Sequence, residues 1–225
     1  MFTKATFYLG HTNTRIIDAV PPSFWNLTSQ LTYLNISHNQ IYGEIQHIPM
    51  ILSYDSIIDV SSNNFTGPLP CISSNVTALD LSNNSLSGSI SHFLCYKMNE
   101  PKKMEFLNLG KNLLSGKLSN CWMMWQSLHT LNLGKNNFTG SIPTSIGSLV
   151  HLLYLHLDNN KFSRKLPSSL KNCKELVTID VAKNDFVGSI PSWMGHRFSS
   201  LVILNLHSNN FHDYIPEELC SLTSL

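Results

Sequence analysis

The residues of this 225-residue chain that could catalyse a reaction or hold a metal ion are chiefly its ten histidines and five cysteines. They show neither the C-x-x-C nor the H-x-x-x-H spacing that brings metal ligands together on one element. His156 and Asp158 share one face if they lie on a strand, but no serine or cysteine beside them is placed to act as an activated nucleophile. The sequence therefore predicts no enzyme, no cofactor and no metal site.

The charge composition excludes a further class of function. The formal net charge is +1 and only 13% of the residues are charged, so the clustered lysines and arginines that bind nucleic-acid phosphates are missing. Uncharged polar residues supply most of the polarity instead. Nucleic acid is therefore excluded as a partner.

The elements that must position any functional side chain are set by an internal repeat, L-x-x-L-x-L-x-x-N-x-L-x-G-x-I-P, which runs along the whole chain. The asparagine slot of this pattern is filled in eight successive copies, by Asn39, Asn63, Asn84, Asn112, Asn136, Asn160, Asn184 and Asn209. Thr14 takes the slot in a degraded earlier copy, and Leu225 is the first leucine of a further one. We divide the chain into residues 1–30, a degraded first repeat with an irregular segment, and residues 31–225, the leucine-rich repeats, which end inside a further copy.

Each slot of the repeat has a physical interpretation. Leucines alternate with a polar residue in Leu131-Asn132-Leu133, which is the pattern of a strand with one buried face, and stacked copies make a parallel sheet. The slot asparagines are expected to be structural, with buried amides that hydrogen-bond backbone groups of adjacent turns. The predicted fold class is an α/β repeat solenoid, a right-handed leucine-rich-repeat arc with a parallel concave sheet and short helical or 3₁₀ turns outside.

Two departures from the repeat predict local irregularities. The glycine slot holds Arg164 in one copy and Asp213 in another, where we expect altered turns. The longest spacing between slot asparagines, 28 residues, contains the polar segment from Cys95 to Lys103. We expect this segment to bulge from the convex side or edge as a protruding loop.

Strand residues that flank the buried leucines should point to solvent from the concave face, in three columns. The first column runs from Tyr33 to Ile203, the middle column from Asn35 to Asn205, and the third column from Ser37 to His207. Exposed aromatic residues supply much of the energy of protein interfaces, so the hypothetical partner-binding residues are Tyr33, Phe106, Tyr154, His156, Asp158 and His207. In the alternative interpretation, the Asp and Asn residues merely fill the repeat and the aromatic residues pack on neighbouring strands.

Six Asn-x-Ser/Thr sequons indicate a secreted glycoprotein, at Asn26, Asn35, Asn64, Asn75, Asn83 and Asn137, although a repeat rich in Asn and Ser also produces sequons by chance. A glycan on Asn35 would block the N-terminal part of the concave face, which favours binding at the later repeats. The chain shows neither a signal-peptide pattern nor the roughly 18 to 20 consecutive apolar residues of a membrane span. We therefore expect a truncated chain from an extracellular protein.

The odd number of cysteines leaves at least one without a partner in the chain. Cys173 is expected to be a buried free thiol. Cys95 and Cys121 occupy similar outer slots of adjacent repeats, so either a disulfide joins them and staples the 28-residue repeat to its neighbour, or both remain thiols.

The Gly-x-Ile-Pro half of the repeat, as in GSIPTSIGSLVHL, resembles the plant-specific class of leucine-rich repeats. Segments such as QLTYLNISHNQIYGEI and NLHSNNFHDYIPEELCSLTSL resemble the ectodomains of plant disease-resistance receptor-like proteins, in particular the receptors for fungal ethylene-inducing xylanase. The resemblance covers about Thr12 to Leu225. It implies a solenoid on the extracellular side of the plasma membrane that binds a microbial protein or peptide and signals through a partner receptor kinase.

Two alternatives remain open on the sequence. One is a soluble inhibitor of a cell-wall-degrading enzyme, resembling the polygalacturonase-inhibiting proteins, which share the repeat class. The other is part of the ectodomain of a receptor kinase. In the two receptor interpretations, the membrane is expected to be reached only through segments that this sequence does not contain.

Overall fold

The structure is a computed structural model that describes residues 7–10, 12–27, 31–46 and 56–225. Numbered along the chain, the strands of the first sheet are β1 (Phe7–Gly10), β2 (Leu31–Asn35), β4 (Ser56–Asp59), β6 (Val76–Asp80), β8 (Phe106–Asn108), β10 (Thr130–Asn132), β12 (Tyr154–His156), β14 (Thr178–Asp180) and β16 (Ile203–Asn205). Each strand pairs in parallel with its neighbour in this order. This sheet is the concave sheet of the prediction, and the predicted α/β solenoid is confirmed.

A second row of strands follows the asparagine slots. Its members are β3 (Tyr42–Glu44), β5 (Asn64–Gly67), β7 (Ser85–Ser89), β9 (Leu113–Lys117), β11 (Asn137–Gly140), β13 (Lys161–Arg164), β15 (Asp185–Gly188) and β17 (Asn210–Phe211). These strands also pair in parallel from one repeat to the next. From β2 onwards, each repeat therefore adds one short strand to each of the two sheets.

The outer side of the solenoid carries short helical turns, as predicted. The α-helices are α1 (Pro22–Leu27), α2 (Ser91–Leu94) and α3 (Trp193–Arg197), and the 3₁₀ helices are Trp122–Met124, Thr144–Ser148, Ser168–Asn172 and Glu217–Ser221. They are too short to be stable alone and depend on the core for their stability. Within the described ranges, every helix falls short of the length and apolar character that crossing a membrane requires.

The core lies between the two rows of strands and the helical turns. Repeat leucines such as Leu131, Leu133 and Leu155 are fully buried. Phenylalanines that lie two residues after a slot asparagine stack on one another along the solenoid. The ring centroids of Phe138 and Phe162 are 6.0 Å apart, and those of Phe162 and Phe186 are 6.1 Å apart. No single repeat can bury such side chains alone, so stability arises between neighbours.

The slot asparagines join each repeat to the next, as predicted. Asn136 Nδ2 donates to the carbonyls of Leu133 and Gly134 in its own turn and of Leu109 in the preceding repeat. Its Oδ1 accepts from the backbone N–H of Leu114 at 3.0 Å. Four backbone groups are thereby satisfied by one side chain, and the same pattern recurs from Asn63 to Asn209.

The degraded first copy keeps part of this arrangement. Thr14 N–H and its hydroxyl both donate to Asn39 Oδ1, at 3.1 and 3.0 Å. Asn13 takes the left-handed φ of 53° that every residue before a slot asparagine adopts, such as Lys135 at 55°. Thr14 therefore occupies the asparagine slot in space as well as in sequence.

The prediction of altered turns at Arg164 and Asp213 is wrong. Arg164 has φ 74° and Asp213 φ 69°, close to the 78° of Gly140 in the same slot. A side chain there is strained, because its Cβ crowds the backbone at positive φ. Arg164 pairs in register with Phe186 of the next repeat, just as Gly140 pairs with Phe162, so the strand pairing is the same with and without the side chain.

The predicted protruding loop from Cys95 to Lys103 is only partly exposed. A disulfide joins Cys95 to Cys121 of the next repeat, with Cα atoms 5.4 Å apart, which is the first of the two alternatives. Lys102 is only 4% exposed, and its backbone N–H donates to the backbone carbonyl of Met124. Its side-chain Nζ lies 5.9 Å from the ring centroid of Tyr96. The expectation of a bulge is wrong at Lys102, because the segment folds back onto the neighbouring repeat.

The other cysteines are free thiols. Cys173 is fully buried, as predicted, and burial raises its pKa to about 12. Cys71 is half-buried, and Cys220 is exposed.

Candidate ligand-binding site on the concave face

The parallel register places the predicted columns side by side across the sheet. Tyr33 pairs with Ile57, and the first column continues through Ala78, Phe106, Thr130, Tyr154, Thr178 and Ile203. The middle column is aligned in the same way from Asn35 to Asn205. The predicted alignment of the repeats is confirmed to the residue.

The expectation that all three columns point to solvent is wrong for parts of two of them. In the third column Ser37, Ser61 and Ala182 are at most 7% exposed, and in the first column Thr178 is 6% exposed. In each of these three third-column residues the backbone N–H donates to a middle-column side chain, whereas Asp158 is half-buried and His207 is exposed in the same column.

Those middle-column side chains cap the ends of the strands. Asn35, Asp59, Asp80, Asn108, Asn132 and Asp180 each accept, through Oδ1, the backbone N–H two residues further on, at 2.9–3.2 Å. This local bond is characteristic of Asx residues and satisfies a donor that has left the ladder. These Asp and Asn residues therefore do more than fill the repeat, since six of them complete the backbone hydrogen bonding.

Several middle-column residues also bind one another across the strands. Asn35 Nδ2 donates to Asp59 Oδ2 at 3.3 Å, and Asn108 Nδ2 donates to Asp80 Oδ2 at 3.0 Å. Asn205 Nδ2 likewise donates to Asp180 Oδ2. The polar groups of the earlier concave strands are thus largely engaged within the protein.

His156 interrupts this pattern. It is the one residue of the middle column from Asn35 to Asn205 that is not Asn or Asp. It pairs in register with Asp180 on the next strand, and Asp158 follows two residues later on the same face. One ligand atom from each of these three half-buried side chains lies within 4.8 Å of the other two.

Gly134 provides the space for this cluster. A Cβ at position 134 would overlap Asp158 Oδ1, so a glycine in the third column lets the carboxylate lie across the preceding repeat. The resulting open cavity, about 400 Å³, is lined by His156, Asp158 and Asp180 on one side and by Asn132 and Lys135 on the other. The absence of a Cβ at Gly134, and at Gly110 in the preceding repeat, makes room for this polar recess.

The electrostatics of the recess centre on Asp158. Burial raises the pKa of its carboxyl, and the negative charge of Asp180 raises it further, while Lys135 and His156 act in the opposite direction. Among the described residues, the Asp158 carboxylate has no hydrogen bond to another residue and the His156 imidazole has none at all. Both groups are therefore available to a ligand.

The structure brings together only part of the predicted contact set. Tyr154, 39% exposed, adjoins His156 and Asp158. Phe106 lies two strands away on β8, and Tyr33 lies five strands away on β2. The exposed His207 follows β16 on the opposite side, with Nδ1 2.9 Å from Ser208 Oγ.

Sequence reasoning missed Asp180, Lys135 and Gly134. Asp180 stands beside His156 in the aligned columns, so comparing adjacent copies could have found the pair. Gly134 belongs to a Leu-Gly-Lys-Asn motif that also occurs at Gly110 and fits the strand-to-turn unit of the repeat. Metal-ligand spacing within one element cannot reveal a cluster whose members come from two repeats.

The sequons differ in exposure. The side chains of Asn64 and Asn137 are exposed, and those of Asn75 and Asn83 are half-buried. The amide of Asn35 is hydrogen-bonded to Asp59 and to the Tyr33 hydroxyl. The side chain of Asn26 lies outside the described residues, and glycosylation of all six stays a prediction.

Comparison with known proteins agrees with this architecture. The Leucine Rich Repeat family model matches residues 30–52, 75–96, 127–149, 151–173 and 200–222. Receptor-like protein EIX2 of Solanum lycopersicum is 39% identical over 207 residues, which are 92% of this chain and 20% of that protein. Receptor-like protein 54 of Arabidopsis thaliana is 34% identical over 117 residues, covering 51% of this chain and 14% of the relative. The chain spans a fifth or less of these relatives.

Solved structures show the same fold. The Arabidopsis receptor kinase HAESA, in complex with the peptide hormone IDA and the co-receptor SERK1, superposes with a TM-score of 0.81 at 26% identity, covering 97% of this chain and 40% of HAESA. The plant peptide hormone receptor RGFR1, in complex with RGF2, gives a TM-score of 0.80 at 26% identity, covering 97% of this chain and 38% of the receptor. With its repeat, its two parallel sheets and these similarities, the chain belongs to the leucine-rich-repeat family, in the form found in plant receptor-like proteins.

Proposed function

We propose that this chain is the ligand-recognition part of an extracellular plant immune receptor-like protein. It binds a microbial protein or peptide on its concave face, centred on Tyr154, His156 and Asp158, and it acts with a partner receptor kinase. The observation that carries the proposal is the contrast on that face. Most middle-column groups are engaged internally, whereas His156 and Asp158 remain free beside an exposed tyrosine.

The chemistry of this cluster suits recognition of a polypeptide. Tyrosine supplies a rigid, amphipathic contact surface, and half-buried polar groups in a recess add hydrogen bonds of stronger effect than those on an open surface. Tyr33, Phe106 and His207 would contribute at the periphery of a ligand that extends across several strands. No catalytic step is part of the proposal.

The relatives support the receptor assignment over a soluble enzyme inhibitor. Those compared above are receptor-like proteins, and HAESA is complexed with a peptide hormone and a co-receptor. A location on the extracellular side of the plasma membrane is supported by the exposed sequons at Asn64 and Asn137. It is also supported by the Cys95–Cys121 disulfide, a bond typical of oxidising compartments.

The test is a binding measurement with a purified fungal ethylene-inducing xylanase immobilised on a sensor. Wild-type chain is compared with the triple variant Tyr154→Ala, His156→Ala, Asp158→Ala and with a convex-face control, Ser168→Ala, Lys171→Ala, Asn172→Ala. The first triple variant should lose at least about tenfold in affinity, because one hot-spot residue accounts for that much. The control should bind like wild type.

Two results would overturn the proposal. If the folded wild-type chain does not bind the xylanase, the xylanase is excluded as its microbial ligand and the assignment to a xylanase receptor fails. If the concave and convex variants bind equally well, the site is elsewhere on the molecule. Thermal unfolding of each variant shows whether a loss of binding reflects a loss of fold.

A further inference from the structure

We infer that His156, Asp158 and Asp180 form a binding site for one divalent transition-metal ion of the zinc class. The site lies in the recess beside Gly134 and combines side chains from two successive repeats. It would exist whether or not the chain binds a microbial protein.

The geometry is close to that of a metal site. His156 and Asp180 are paired residues on the adjacent strands β12 and β14, and Asp158 follows His156 on the same face. Their ligand atoms lie within 4.8 Å of one another. Zinc binds nitrogen and carboxylate oxygen at about 2.0–2.2 Å, so ligand atoms around one ion lie within roughly 4 Å of each other. Small side-chain rotations therefore close the site without moving the sheet.

The donor set selects the class of ion. One imidazole nitrogen with two carboxylates suits zinc and neighbouring divalent transition metals, whereas magnesium and calcium prefer ligand sets made of oxygen alone. Three protein ligands leave a coordination position open on the side of the cavity. A water molecule or a donor group from a bound protein would complete the coordination there.

The surroundings favour a bound cation. Neither the His156 imidazole nor the Asp158 carboxylate is hydrogen-bonded to another residue of the described ranges, so both can turn towards an ion without breaking a contact. Asp180 already has a fixed orientation, because its two oxygens accept from Ala182 N–H and from Asn205 Nδ2. Hydrogen-bonded carboxylates of this kind are usual metal ligands, since the outer contact orients them. Two half-buried carboxylates whose oxygens lie within 4.8 Å of each other also repel one another when both are charged, and a cation relieves that repulsion.

Histidines elsewhere on the surface provide a matched control. His151 is exposed, and its Nδ1 lies 3.5 Å from Glu175 Oε2. Its ring centroid lies 6.4 Å from that of His129. It offers an imidazole near a carboxylate and a second imidazole, but it does not form a three-ligand cluster within the described residues. Adventitious zinc binding would depend on His151 as much as on His156.

The experiment is isothermal titration of tag-free, metal-stripped chain with Zn²⁺, using wild type and the variants His156→Ala, Asp158→Asn, Asp180→Asn and His151→Ala. Asparagine keeps the shape of the carboxylate and, at position 180, the Oδ1 acceptor for Ala182 N–H, but it replaces the Oδ2 acceptor of Asn205 Nδ2, so thermal unfolding of each variant accompanies the titration. One ion should bind per chain. Changing a group that only hydrogen-bonds a metal ligand typically lowers metal affinity by roughly 10- to 100-fold, and His156→Ala, which removes a ligand, should lower Zn²⁺ affinity by more than that. Each Asn variant should lower Zn²⁺ affinity by at least about tenfold. His151→Ala should bind Zn²⁺ like wild type.

Failure of wild type to bind one ion per chain would overturn the inference. So would binding that His156→Ala leaves unchanged, or an equal loss in His151→Ala. A Co²⁺ absorption spectrum of wild type, changed in His156→Ala, is the second readout and reports nitrogen ligation directly. The titration contains no protein ligand, so its outcome is independent of the xylanase measurement.

Discussion

The earlier and later strands of the concave sheet share one backbone but use their polar side chains differently. On β2 to β8, Asn35 is paired with Asp59, and Asp80 with Asn108. On β12, His156 and the following Asp158 have no such partners within the described residues. A polar residue on a solenoid is thus available to a ligand only where its neighbours in the adjacent repeats do not already use it.

The scaffold beneath the two regions is the same, and breaking it should give the largest effect. Asn63→Ala and Asn160→Ala each remove a side chain that satisfies four backbone groups. Since each unsatisfied buried group costs about 1–3 kcal/mol, both variants should lose about 3 kcal/mol or more of unfolding free energy. Urea unfolding measures the loss, and a cost confined to one variant would show that the scaffold is not uniform.

The disulfide should stabilise the scaffold without affecting the later concave face. The double variant Cys95→Ser, Cys121→Ser opens a link of sequence separation 26 and should cost about 2–4 kcal/mol. Its binding to the xylanase and to Zn²⁺ should match that of wild type below the unfolding temperature. A parallel loss of binding would mean that the two regions are coupled.

Single aspartates should differ between the two regions. Asp59→Ala removes the acceptor of Ser61 N–H and the partner of Asn35, so it should lose about 1–2 kcal/mol of unfolding free energy. Asp158→Ala removes a half-buried carboxylate without a partner and should change stability by less than about 0.5 kcal/mol. Thermal unfolding in metal-free buffer measures both, and equal losses would contradict the proposed difference.

The smallest effect concerns pH. Because burial and the charge of Asp180 raise the pKa of Asp158, its charged form disfavours the folded state. Relative to Asp158→Asn, wild type should lose stability as pH rises from the ordinary carboxyl pKa through the raised one, and the two should converge below both. The difference should stay below about 0.5 kcal/mol, because the group is partly solvated. Unfolding midpoints of both chains across this range test the sign, and a relative gain for wild type with rising pH would contradict it.

The repeat alone was sufficient to predict the stacking, the register and the asparagine ladder, because each is fixed by a residue type at a constant offset. The roles of Leu131 and Asn136 follow from their positions within their own repeat. The unaltered turn at Arg164 could not be predicted from the residue type, since its pairing with Phe186 in the next repeat is kept without a glycine. The burial of Lys102 depends in the same way on a neighbouring turn.

The candidate site was predicted in part for the same reason. Tyr154, His156 and Asp158 occupy alternate positions in the sequence, and the alternation of side chains along a strand places them on one face. Asp180 and Gly134 belong to adjacent copies, and only the register shows that they complete the recess. The Asx caps were missed because a side chain that bonds two residues along its own chain leaves no signal in the spacing of the repeat.

The most direct test compares matched changes on the two regions of the concave face. Xylanase affinity is measured for Tyr33→Ala, Ile57→Ala and for Tyr154→Ala, His156→Ala, each replacing two first- or middle-column side chains. The later pair should lose at least about tenfold, and the earlier pair should stay within about threefold of wild type. An equal loss in both, or a larger loss in the earlier pair, would contradict the claim that the later strands form the recognition surface.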